Sequence, residues 1–163
     1  MDDIMENVKL IQELILISIK KKELMKNILD ITKRQQKFIE LNKIETVIKQ
    51  INLKDTYIKE IDELDLNFYA KFDKLKSNLK IDSIDKINVE MYPQVKNLKK
   101  IVGEIMELTK EIKVIDDQNI SKLSKDKNDL GQRLKGVRQG KKVTGAYGAY
   151  KKQVKSMFFD KKK

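Results

Sequence analysis

The chain has 163 residues, of which 37% are charged and only 6% aromatic, with one proline and no tryptophan, so a broad aromatic core of the kind found in compact α/β or all-β domains is not expected. It contains neither histidine nor cysteine, which excludes thiolate and imidazole nucleophiles, imidazole bases, zinc-finger ligand sets and disulfides. The net charge of +11 is unevenly placed: residues 1–78 hold 15 Lys/Arg against 14 Asp/Glu, residues 79–130 hold 10 of each, and residues 131–163 hold 11 against 1.

The body is therefore near neutral, with interspersed charges typical of solvated helix surfaces, and the excess sits at the C-terminal end, where it could seek an anionic partner. The acidic opening Asp2-Asp3-Ile4-Met5-Glu6 lacks the basic start of a secretory signal, and the apolar stretch Val8 to Ile19 is interrupted by Lys9, Gln12 and Glu13. A cytoplasmic location is expected.

Taken in chain order, Ile4, Val8, Ile11 and Ile15, then Met25, Ile28 and Leu29, recur at helical spacing and predict a long helix over about residues 3–41. Further apolar residues at Leu10, Leu14, Leu16, Ile17 and Ile19 make its N-terminal third apolar nearly all round, so more than one neighbour must cover it. After Leu41-Asn42, where the asparagine either caps a new helix or marks a bend, Ile44, Val47, Ile48, Ile51, Ile58, Ile61, Phe68, Phe72 and Leu75 continue at steps of three and four. Two helices, the second over 43–78, and one bent helix both satisfy this pattern.

The polar clusters of residues 80–93, ending in Tyr92-Pro93, predict the hairpin connection. From 94 to about 138 the stripe Leu98, Val102, Ile105, Ile112, Ile115, Leu123, Leu130, Leu134 and Val137 repeats at intervals close to seven and predicts a third long helix. Gly131 and Gly136 weaken its end. Residues 140–163, with Gly145 and Gly148, no sustained apolar period and a closing Met157-Phe158-Phe159, predict a flexible, basic, aromatic tail after a bundle of residues 1–139. The fold class is thus all-α: an elongated antiparallel helical hairpin or coiled-coil-like bundle of two to four long helices.

No catalytic constellation emerges. Asp116-Asp117 and the group Asp62, Glu63 and Asp65 could be imagined as acid/base or metal sites, but charge-rich helices bring carboxylates together by chance, and no phosphate loop accompanies them. Neither a metal, a cofactor nor a small-molecule substrate is expected, and the chain does not read as an enzyme. Asp116, Asn119 and Asp126 fall on or beside the apolar stripe. They either fix helix register or border a groove in which Ile112, Ile115, Ile120, Leu123, Leu130 and Leu134 receive an amphipathic client helix, provided that the first helix ends short of them.

The run Ile112-Lys113-Val114-Ile115-Asp116-Asp117-Gln118-Asn119, followed by Leu134-Lys135-Gly136-Val137-Arg138-Gln139-Gly140-Lys141-Lys142-Val143-Thr144-Gly145-Ala146-Tyr147, resembles the C-terminal half of FlgN/FliT-type flagellar export chaperones. The similarity is clearest over about residues 98–163, and the ending Met157-Phe158-Phe159-Asp160 followed by three lysines is similar to clostridial-type tails. The resemblance implies a type III secretion chaperone that binds late flagellar substrates, either hook-associated junction proteins or the filament cap, keeps them unassembled and delivers them to the export apparatus. It implies client contacts at Ile112, Ile115, Asn119, Leu123, Leu130, Leu134 and Val137, and an export-gate contact at Tyr147, with Tyr150 beside it. A homodimer is left open. The competing readings are a nucleic-acid or membrane-surface binder acting through the basic tail, against which counts the lack of a base-reading or lipid-inserting helix there, and a structural coiled coil.

Overall fold

A computed structural model describes residues 2–125. Three helices, α1 (Asp2–Glu40), α2 (Ile44–Leu79) and α3 (Val95–Lys125), run up, down and up, and no strand occurs among the described residues. The expected end of the third helix near residue 138 and the expected tail over 140–163 lie outside these residues.

The choice between one bent helix and two is resolved at Asn42. Its φ of 60° lies in the left-handed region, which asparagine tolerates better than most side chains. Lys43 N–H then donates to the Phe38 carbonyl at 2.9 Å and Asn42 N–H to the Ile39 carbonyl at 3.0 Å, the paired bonds that close a helix C-terminus. Asn42 thus ends α1 rather than capping α2, whose flanking Lys43 makes no side-chain cap. α2 ends similarly at Lys80 (φ 56°), with Ile81 N–H on the Lys76 carbonyl at 3.1 Å.

The connection to α3 is ordered by burial. Ile84 opens a short 3-10 helix (Ile84–Lys86) and Ile87 follows it, and both insert into the core beside Tyr92. Pro93 follows in the turn that opens α3, where its missing N–H leaves no helical bond unmade.

α1 is the spine. It packs closely along both α2 and α3, whereas α2 and α3 meet mainly through long side chains. The core is a column of three apolar clusters. The first, at the α1 N-terminal end, joins Leu10, Ile11 and Leu14 to Phe68, Phe72, Leu75, Leu98 and Val102. The second joins Met25 and Ile28 to Ile58, Ile61, Ile105 and Ile112, and the third joins Ile39 to Val47, Ile51 and Leu123.

The expected face of α1 is buried in part: Ile11, Met25 and Ile28 are buried, Val8, Ile15 and Leu29 are half-buried and Ile4 is exposed, and Asn7, Ser18, Lys21, Thr32 and Gln35 share the buried line. The residues that made its N-terminal third look apolar all round divide accordingly: Leu10, Leu14 and Ile17 face the bundle, and Leu16 and Ile19 face solvent.

Candidate functional site

Two ion pairs interrupt the apolar column. Between the first and second clusters, buried Lys21 of α1 pairs with Asp65 of α2. Between the second and third, Lys54 of α2 donates from Nζ to Gln35 Oε1 of α1 at 2.9 Å and to Asp116 Oδ1 of α3 at 2.6 Å, so one ammonium ties all three helices. Below it, Asn119 Nδ2 donates to the Thr32 carbonyl at 3.3 Å, and the Thr32 hydroxyl donates to the Ile28 carbonyl at 2.7 Å.

Lys54 is only 2% exposed and Asp116 5%. Burial pushes the Lys54 ammonium below its ordinary range and the Asp116 carboxyl above its own, and the attraction within the pair opposes both shifts without cancelling either. Burial likewise lowers Lys21 to about 7 and raises Asp65. The second Asp116 oxygen, Oδ2, is buried with no hydrogen-bond partner among the described residues. Such pairs add little net stability compared with aliphatics, but they penalise misalignment, because a slipped helix would bury an unpaired charge.

This geometry places two of the three polar seam residues, Asp126 lying outside the described residues. Asp116 and Asn119 are buried and hydrogen-bonded across helices, as the register reading expects, and three of the carboxylates that might have suggested chemistry have cationic partners: Asp116 with Lys54, Asp65 with Lys21, and Asp117 at 3.3 Å from Lys113. No group of three or more carboxylates placed to hold a metal ion occurs among the described residues. Lys54 and Gln35, which complete the layer, were missed because a lysine and a glutamine among many charged residues carry no sign of burial in the sequence. The available signal was that Lys54 falls between Ile51 and Ile58 at helical spacing.

The expected client-contact residues separate into three groups. Ile112, Asn119 and Leu123 are buried in the bundle and Ile115 is half-buried, so these positions do not form an open groove. The condition set for that groove, a first helix ending short of them, fails here because α1 reaches Ile39, which packs with Leu123. Leu130, Leu134 and Val137, together with the expected gate residues Tyr147 and Tyr150, lie outside the described residues. The α1–α2 hairpin turns back at residues 41–43, little more than one helical turn beyond Ile39, so it offers no further length for the stripe past Leu123.

The opposite end of the bundle is fastened differently. Asn7 Nδ2 donates to the Tyr92 hydroxyl at 3.1 Å and Asn7 Oδ1 accepts from Asn78 Nδ2 at 3.0 Å, linking α1, the end of α2 and the connection to α3. On the outer surfaces Lys74–Glu6 (2.9 Å) and Lys71–Glu13 join α1 to α2, and Lys22–Glu104 (3.1 Å) and Lys33–Glu111 (3.6 Å) join α1 to α3. No described helix is long and apolar enough to cross a membrane.

Comparison with known proteins returned one family, described as FlgN protein, whose model matches residues 1–155. No curated protein and no solved structure matches the chain. The match takes in the N-terminal helix pair as well as the C-terminal half on which the sequence resemblance rested, and it covers nearly the whole chain. The chain therefore belongs to the FlgN family of flagellar export chaperones, which bind flagellar proteins and the export apparatus.

Proposed function

We propose that the chain holds hook-associated junction proteins unassembled in the cytoplasm and delivers them to the export gate, the filament cap protein being the alternative client. Family membership supports the chaperone role, and the FlgN match favours junction proteins over the cap. The observation that carries the placement of the client site is the length of the hairpin. The sequence continues the seam spacing from Leu123 to Leu130, Leu134 and Val137, while the hairpin turns back between Glu40 of α1 and Ile44 of α2. An apolar stripe of that spacing suits an amphipathic helix from a client.

The family match extends past Tyr147 and Tyr150, in keeping with a gate contact there that is separate from the client stripe. Calorimetric titration with the terminal helical segments of the junction and cap proteins tests the division. Leu130→Glu with Leu134→Glu abolishes client binding, whereas Tyr147→Ala leaves it intact and impairs export. Equal loss of client binding in both variants would contradict the reading.

A further inference from the structure

We propose that the exposed face of α2 around Leu66 and Tyr69 is a docking surface for the chain's own basic C-terminal segment, residues 151–163. The inference goes beyond the client reading and does not depend on it, because this surface lies on the flank of the bundle, away from the pole where the seam spacing continues past Leu123.

The surface is defined by what α2 leaves uncovered. Asp62, Leu66, Tyr69 and Asp73 follow one another at steps of four, three and four, so they share one face of the helix. Leu66 is 73% exposed and Tyr69 37%, while Phe68 between them is buried. Around this apolar pair the charge is one-sided: residues 60–70 hold Glu60, Asp62, Glu63 and Asp65 and no lysine or arginine. Every lysine of α2 from residue 54 onward is engaged elsewhere, Lys54 with Asp116, Lys59 with Asp55 at 3.3 Å, Lys71 with Glu13, Lys74 with Glu6 at 2.9 Å and Lys76 with Asp73 at 3.9 Å. Lys21 takes Asp65. Glu60, Asp62 and Glu63 are left as exposed carboxylates outside any ion pair among the described residues.

Charge, composition and reach select the occupant. Residues 151–163 hold six lysines, one aspartate and the run Met157-Phe158-Phe159, the complement of a surface that sets three carboxylates beside an exposed leucine and tyrosine. A second copy docked through the same face by a two-fold axis would bring Asp62 and Glu63 against their own equivalents, and like charges disfavour it. Leu66 lies twelve residues along α2 from Lys54, and Lys125 lies nine residues along α3 in the opposite direction from Asp116, the partner of Lys54, so about 32 Å of bundle separates the two levels at about 1.5 Å per residue. The chain from Lys125 to Lys151 spans up to about 86 Å when extended. Even with α3 continued as a helix to residue 138, the residues from there to Phe158 span up to about 66 Å against about 52 Å to be covered. A tether of this length supplies an effective concentration near the millimolar range, so a contact too weak to hold two separate chains together forms within one.

The test uses the full chain, which has no cysteine, so that Ser156→Cys carries a single spin label. Paramagnetic broadening of backbone amides should be stronger at residues 60–70 than at the hairpin turn, residues 41–47, which lies at the pole where α3 ends. Raising the salt from 0.1 M to 1 M shortens the screening length from about 10 Å to about 3 Å and should reduce the broadening at residues 60–70 by about three-fold or more. Glu60→Gln, Asp62→Asn and Glu63→Gln together should do the same, as should Leu66→Ser, whose side chain lies outside the core clusters. Glu23→Gln, at an exposed carboxylate on α1, should leave the broadening unchanged. An isotope-enriched chain without a label, mixed with a spin-labelled chain of natural isotope composition, should show none, since the contact forms within one chain. Broadening strongest at the hairpin turn, insensitivity to salt and to the α2 substitutions, or equal broadening in the mixture would overturn the proposal.

Discussion

Lys54 Nζ stands 2.6 Å from Asp116 Oδ1, and this contact joins α2 to α3, the helix pair that packs least closely. Removing one partner strands the other in the core. Asp116→Ala should therefore destabilise the chain by about 3–5 kcal/mol, whereas the double replacement Lys54→Met with Asp116→Leu should be neutral or stabilising by about 1–4 kcal/mol. Urea unfolding of the single and double variants measures both, and a double variant as unstable as the single would show that the pair contributes net stability.

Lys21 supplies a pH dependence. Burial lowers it to about 7 in the folded chain against an ordinary value of 10.5, with Asp65 and Asp62 as the charged groups that pull it back up. Between those two values the unfolded chain binds more protons than the folded one, so stability should rise with pH over about 7 to 10.5, by up to about 1.4 kcal/mol per unit for this one proton. Lys54, lowered in the same sense, adds to the slope. Denaturant midpoints measured across this range should climb, and Lys21→Met should flatten the climb.

At the other end, Tyr92→Phe removes the hydroxyl that accepts from Asn7 and leaves a buried amide donor without its partner. A loss of about 1–3 kcal/mol is expected, larger than the roughly 1 kcal/mol net value of an ordinary hydrogen bond, because the stranded donor stays buried. Thermal unfolding of Tyr92→Phe beside Asn7→Ala separates the cost of the stranded group from that of the bond itself.

Gly103 sits within α3 with a negative φ, and a Cβ added there meets nothing within 4 Å. Gly103→Ala should stabilise the chain by about 0.4–1 kcal/mol through the reduced freedom of the unfolded state and the better helix propensity of alanine. A midpoint unchanged or lowered in urea would mean that this face of α3 is covered in solution.

Most of the architecture was readable because the apolar spacing of residues 44–75 and 95–123 is the spacing of the buried face: Val47, Ile51, Ile58, Ile61, Phe68, Phe72, Leu75, Leu98, Val102, Ile105 and Ile112 all face the core. α1 was harder. Its surplus of aliphatics offers several stripes of similar quality, and the one chosen by the fold is set by Lys21, Thr32 and Gln35, polar residues that become favourable inside only once Asp65, Lys54 and Asn119 arrive from other helices. Such pairings depend on tertiary register, which no local period encodes. Asn42 was legible as a break but not as a particular one, since its side chain serves a cap and a left-handed turn equally well.

Three passes through the bundle, an odd number, have a consequence for how the molecule can be handled. The residues that begin α1 and those that end α3 stand at opposite poles, separated by roughly the length of α1, about 58 Å at 1.5 Å per residue. A dye, bead or surface tether attached at Asp3 is therefore anchored beside the Asn7–Tyr92 clasp and far from the pole where α3 ends. Immobilised in that orientation, the chain presents the end of α3 outward, and force applied between the two poles loads the helices lengthwise.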